Sequence, residues 1–290
     1  MNNEQLLTIL SQGEDSCHQF KKDVTNADAL AAEMQRLFQS SGLVYADETP
    51  IHTAAADDLD ADEIARYFSR RYNKSLETTG QPLPRLLNNI GLSRDGVPNL
   101  AGMMLFGKSP QIFKPAFMVK AVMFPGATMS DNHYIDREEI DGTIPEQYNR
   151  GMAFIRRNLR HVQSGPSFNS ASVLEIPEAV FEELLVNSLV HRNYFINAPI
   201  RLFIFADRVE IISPGCLPNH LDTEQICYGI SNLRNSVLAS HAFYLLPYSG
   251  LGSGIPRATA AWPDIGLIND RKGDQFRVVI RRSEQGPNSF

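Results

Sequence analysis

With 290 residues, 43% of them hydrophobic and 21% charged, the chain has the make-up of a globular protein with room for about two domains, which excludes a disordered polymer. A net charge of −6 excludes nucleic-acid binding over the whole surface, although a local basic patch stays open. No apolar run reaches the roughly 18 residues that span a bilayer, and the N-terminus lacks the basic-then-apolar pattern of a signal peptide. Cys17, Cys216 and Cys227 have neither metal spacing nor the number for a disulfide framework, so a reducing cytoplasm is the expected compartment, with no membrane partner.

Residues 1–34 read as two short helices around Cys17-His-Gln-Phe-Lys-Lys-Asp-Val, the second capped by Asn26 or Asp28 and stopped by Ser40-Ser41-Gly42. LVYADETPIHTAAADDLDAD is acidic and aperiodic, a short strand and then a linker. Asp60 or Asp62 is the expected cap of EIARYFSRRYNKSL, with Ile64, Phe68 and Tyr72 on one face. LPRLLNNIG gives a short helix, Ser93-Arg-Asp-Gly96 a turn, and AGMMLFG and FMVKAVMF two buried strands. The helix–helix–turn–strand order over 61–107 admits a winged-helix-like unit and so a nucleic-acid reading. Without basic base-reading positions, a packing domain is favoured.

A helix is expected from about Ile144 to Val162, its last turns made basic by Arg156, Arg157, Arg160 and His161, as the helix dipole favours. The next helix, PEAVFEELLVNSLVHRNY, opens at Pro177 with Glu178 in its first turn. Val180, Phe181, Leu184, Leu185 and Leu189 recur at helical spacing for a core. Glu183, Asn187 and His191 recur every four residues and make one polar line. A carboxylate and a carboxamide one turn apart can act on a water proton and ligate magnesium; the plainer reading is a solvated helix face. PIRLFIFADRVEIIS reads as a hairpin ending in the loop Ser213-Pro-Gly-Cys-Leu-Pro218, and HLDTEQICYGISN as a mobile lid. Asn235 is the expected cap of SVLASHAFYLL. Gly250-Leu-Gly-Ser-Gly254 then leads into a helix opening at Ile255-Pro256, followed by closing strands around RKGDQFRVVIRR and a disordered tail. The glycine loop is no P-loop, lacking Gly-Lys-Ser/Thr, and is a poor dinucleotide fingerprint. Its glycines let backbone N–H groups turn inward beside a helix N-terminus, which suits phosphate oxygens.

Taken in order, these stretches resemble the GHKL ATP-binding fold shared by gyrase, MutL and histidine kinases. More narrowly, EELLVNSLVHRNY, DRVEIISPGCLP, SNLRNSVLA and GLGSGI are similar to the GHKL-like C-terminal region of bacterial proteins described as RecG-related or Schlafen/AlbA-like transcriptional regulators. The resemblance covers roughly residues 40–280 and implies an α/β (α+β) chain, a GHKL-like α/β sandwich preceded by a small α+β, winged-helix-like domain. It divides the chain into an AlbA-like remnant at 1–34, a linker at 35–58, the small domain at 59–140, the ATP-binding domain at 141–282 and a tail at 283–290. It implies ATP and Mg²⁺ as ligands. Glu183 would orient or deprotonate the attacking water, and Asn187 would hold Mg²⁺. Gly250, Gly252 and Gly254 would cradle phosphates, and Ser213 and Gly215 would stand where the adenine is read. His191, Arg192 and Arg234 would touch phosphate or brace the lid. Ser213 replaces an aspartate of that pattern and Leu217 its second glycine, and the glycine-rich strands of the AlbA-like domain are missing. Three readings follow: a nucleotide-binding regulator with slow ATP hydrolysis as a switch, a non-catalytic module for homodimerisation or partner binding, and a direct DNA-binding protein. No Walker motif supports helicase activity.

Overall fold

The computed structural model describes residues 44–129, 133–163, 172–218 and 221–282, with Leu30, Met34 and Phe38 helical. The expectations for 1–29 and 283–290 lie outside the described residues.

The N-terminal part is helical. α1 (Ala61–Tyr72) starts where the Asp60 carboxylate accepts the N–H groups of Asp62 and Glu63, both at 3.0 Å, and stops at left-handed Asn73. α2 (Leu83–Asn89) follows. Ser93-Arg-Asp-Gly96 turns through left-handed Asp95 and Gly96 to join β1 (Ser93–Arg94) and β2 (Val97–Pro98) as a hairpin. The expected strand AGMMLFG is instead the helix α3 (Leu100–Phe106). An apolar run buried on every side has no period to separate strand from helix. Asn99 decides it, its side chain accepting the Gly102 N–H at 2.9 Å as an N-cap. α4 (Pro110–Phe113) closes this part.

β3 (Val119–Met123) and β4 (Asp136–Ile140) come next. Thr143 and Glu146 form a capping box for α5 (Ile144–Asn158), shorter than expected because His161 and Val162 enter β5 (His161–Gln163), paired with β6 (Ser172–Leu174). Then follow α6 (Glu178–His191), β7 (Ile200–Ile204), β8 (Arg208–Pro214), α7 (Thr223–Cys227), α8 (Ser236–Leu245), α9 (Gly254–Ala261), β9 (Ile265–Asp270) and β10 (Gln275–Arg281). The segment expected as a lid thus contains the short α7, and α9 opens at Gly254, two residues before Pro256.

The strands form a mixed six-stranded sheet in the order β4-β3-β7-β8-β10-β9, parallel only between β3 and β7. Val119, Ala121, Ile200, Leu202, Ile204, Val209, Ile211, Val278 and Ile280 join the main core, packed with α5 and α6. The chain is therefore an α/β sandwich fronted by a small helical part. The boundary drawn at residue 140 falls inside the sheet, because Val119 registers with Ile200 and Met123 with Ile204. β3 pairs on one side with its sequence neighbour β4, but nothing local to it reports β7 on the other side.

The arginines in the last turn of α5, and Arg160 just after it, are engaged. Arg156 Nε donates to Glu178 at 2.7 Å, Arg157 bridges Asp136 and Glu138 at 2.8 and 2.6 Å, and Arg160 pairs with Glu175 at 2.7 Å.

Candidate functional site

α6 is buried on most of its surface: Val180, Phe181, Leu184, Leu185, Val186, Ser188, Leu189 and Val190 are all inside. Its polar line is therefore not a solvated face. Glu183, Asn187 and His191 look into a cleft between α6, the end of β8, the α7 segment and the glycine loop. The cleft is open at its mouth and has a cavity volume of about 130 Å³. Ser213, Gly215, Arg234, Gly250, Gly252 and Gly254 line it as well. Arg192 does not. It is 2% exposed, donates to Ile196 O at 3.1 Å and Ala198 O at 2.6 Å, and lies over the Phe117 and Tyr194 rings at 4.7 and 4.8 Å. That is a brace for the chain leaving α6.

The glycine loop sits directly on the polar line. A Cβ added to Gly254 would lie 2.6 Å from Glu183 Oε2 and 2.9 Å from Asn187 Nδ2, so a side chain here would displace the ends of both. Gly252 has φ +72°, and its Cβ would lie 2.1 Å from the Gly229 carbonyl, so the loop also meets the backbone of the α7 segment. Glu183 is paired with Arg257 of α9. Burial raises the Glu183 carboxyl above its ordinary range, Arg257 opposes that rise, and Glu182 adds to it.

At the other end of the line, His191 Nε2 lies 3.1 Å from the Tyr248 hydroxyl. Burial, aided by Arg234, pushes the His191 imidazole down to about 4, so it is neutral at pH 7. Arg234 donates to Cys216 O at 2.7 Å and His191 O at 3.4 Å, and burial lowers its guanidinium from the ordinary value. The Ser213 hydroxyl donates to Ser188 O at 3.3 Å. The loop after it is held to the closing hairpin: Gly215 N donates to Asp274 O at 2.8 Å, Cys216 N to Asp274 Oδ1 at 3.0 Å and Leu217 N to Asn269 Oδ1 at 2.9 Å.

Sequence reasoning missed Arg257, Tyr248, Asp274 and Asn269. Arg257 left a signal, since a cation near the N-terminus of a helix opposes the dipole and calls for an acidic partner. The others carry none, being set by tertiary pairing. Asn235, the expected cap of α8, instead donates from Nδ2 to Val190 O at 2.8 Å and Arg192 O at 2.9 Å.

The donor set suits the ligands implied by sequence. Asn187 and Glu183 offer oxygen, which magnesium takes, and the glycine cradle above them leaves backbone rather than side chain facing a polyphosphate. Among the described residues, no group of three or more His, Cys, Asp or Glu gathers anywhere. A cation in this cleft would therefore draw most of its ligands from a bound anion and water.

Residues 197–280 match the family model described as "Putative ATP-dependent DNA helicase recG C-terminal". Residues 35–120 match one described as "Domain of unknown function (DUF8451)". The first match takes in the Ser213 loop, Arg234 and the glycine loop and begins after α6. No curated protein matched the sequence. Among solved structures, the crystal structure of the DIP2311 protein from Corynebacterium diphtheriae superposes with a TM-score of 0.62 at 18% identity, over 87% of this chain. That likeness concerns the fold. The chain spans 50% of that protein's length. No described helix is long and apolar enough to cross a membrane.

Proposed function

We propose that the cleft binds a nucleoside triphosphate, ATP by the family resemblance, together with Mg²⁺, and that occupancy acts as a conformational switch in a cytoplasmic regulator. One observation carries the reading: the glycine loop is seated on Glu183 and Asn187 so closely that any side chain at 254 would collide with both. A glycine cradle facing a carboxylate and a carboxamide suits a polyphosphate better than an apolar metabolite. Magnesium, when bound, would neutralise phosphate charge. Asn187 would offer its carboxamide oxygen, Arg234 a cation in the cleft wall, and Glu183 a carboxylate that accepts a proton from an attacking water. A role in transcription, of the Schlafen/AlbA-like kind, extends from this reading and needs its own test.

A second reading, binding without hydrolysis, has support in two contacts. Arg257 occupies Glu183, and the Ser213 hydroxyl is committed to Ser188 O. Direct DNA binding through α5 and Arg160 after it gains no support, because Arg156, Arg157 and Arg160 are paired with carboxylates.

Calorimetric titration with Mg-ATP and with AMP tests the proposal. Binding of Mg-ATP at least tenfold tighter than AMP supports it. Equal affinities, or no heat from either, would sink it. Phosphate release that vanishes in Glu183→Gln would decide against the binding-only reading.

A further inference from the structure

α8 is built into both halves of the molecule. Its flanks are walls of the cleft: Arg234 precedes it, and Tyr248 and the glycine loop follow it. Its body is fastened to the N-terminal helices. His241 Nε2 lies 3.0 Å from Ile90 O, Arg71 Nη1 approaches His241 Nδ1 at 2.9 Å, and Arg70 Nη1 donates to Tyr244 O at 3.1 Å. Its first turn needs an acceptor, because Asn235 has turned its amide to the end of α6.

Asp47 supplies it. This residue is fully buried, and its Oδ2 accepts the Leu238 N–H at 2.8 Å. Its own carbonyl accepts the Ala101 N–H at 2.8 Å, at the start of α3. One residue thus caps two helix starts, one in the N-terminal part and one beside the cleft. Its Oδ1 is buried without a hydrogen-bond partner. A carboxylate half-satisfied in the interior is costly, and in return it fixes α8 against α3.

We propose that Asp47 is a positioning residue for the cleft: by capping α8 from the N-terminal part, it sets Arg234 at one end of that helix and Tyr248 with the glycine loop at the other. Displacement of the N-terminal helices is then felt at the cleft through α8, with no contact between Asp47 and a ligand. The effect on ligand binding rests on the nucleotide reading above; the effect on the empty cleft does not.

Amide hydrogen exchange on the full chain tests this without ligand. In Asp47→Ala, exchange should quicken roughly five- to tenfold at residues 236–238, the usual loss for a removed cap, and also at residues 248–254. Asp47→Asn, which keeps an acceptor for Leu238, should restore most of the protection at both. Leu59→Ala, a core variant of the same N-terminal part, serves as the control and should not single out 248–254. Quickening confined to 236–238 would make Asp47 a local cap and overturn the proposal. If the Ala variant does not fold, the wild type decides under mild denaturant: 236–238 and 248–254 should open as one unit, and separate openings would overturn it. A parallel titration separates the two claims. Absence of Mg-ATP binding by the wild type removes the nucleotide reading and leaves the exchange result standing.

Discussion

Gly252 and Gly254 lie two residues apart and answer to different constraints, one of backbone and one of side chains. Gly252 has φ +72°, and an added Cβ would press on the Gly229 carbonyl, a backbone atom that cannot swing away. Gly254 has no left-handed φ, and its Cβ would meet only the ends of Glu183 and Asn187. Gly252→Ala should therefore lower unfolding free energy by about 1–3 kcal/mol, the usual cost of a strained backbone. Gly254→Ala should cost roughly 1 kcal/mol or less and yet weaken Mg-ATP binding at least tenfold, because the displaced side chains are the ones the ligand needs. Denaturant unfolding and calorimetry on both variants check the contrast; equal stability losses would count against it. Arg257 acts on Glu183 in a similarly direct way. It opposes the rise that burial imposes on the carboxyl, so Arg257→Gln should move the Glu183 pKa further up. Carboxyl chemical shifts followed against pH would show it. A downward move would mean that Arg257 is not the partner that matters.

At the scale of elements, the legible parts were those with a local signature. The acidic cap of α1, narrowed by sequence to Asp60 or Asp62, and the Asp95-Gly96 turn announce themselves, and so does the four-residue spacing of Glu183, Asn187 and His191. All three came from short-range chemistry that a single sequence carries. α3 reads as a strand because seven buried residues have no polar face to mark a period. The placement of β3 beside β7 was hidden for another reason: a parallel pair is joined by a crossover, and Val119 and Ile200 lie too far apart in sequence for turn chemistry to report them. α8 shows the same limit. Asn235 has the right residue type for a cap, but tertiary structure gave its amide to α6 and brought the cap from Asp47. The motif groups Arg192 with the site, but burial between Phe117 and Tyr194 takes it away.

For the whole molecule, buried ionisable groups set the response to acid. His191 and His241 are both held near pKa 4, chiefly by burial, against 6.5 when free. Their depressed values contribute stability that is present above about pH 6.5 and lost as pH falls through about 4. Asp47 works in the opposite sense. Burial raises it from 3.8 to about 6, so its contribution is present below about pH 4 and is lost as pH rises through 6. Asp47→Asn removes only the second term. Measured by denaturant unfolding, the stability of the Asn variant relative to wild type should improve by about 1–1.5 kcal/mol between pH 5 and pH 8. A gap that stays constant with pH would mean that Asp47 does not titrate in this range.

On the proposed reading, the glycine loop and the polar line of α6 together make one polyphosphate site. Calorimetric titration of Mg-ATP into the wild type and into Asn187→Ala tests it most directly, since Asn187 faces the cleft beneath Gly254. Saturable binding by the wild type and a loss of at least tenfold in the variant are expected. Equal binding by both proteins, or binding by neither, would contradict it.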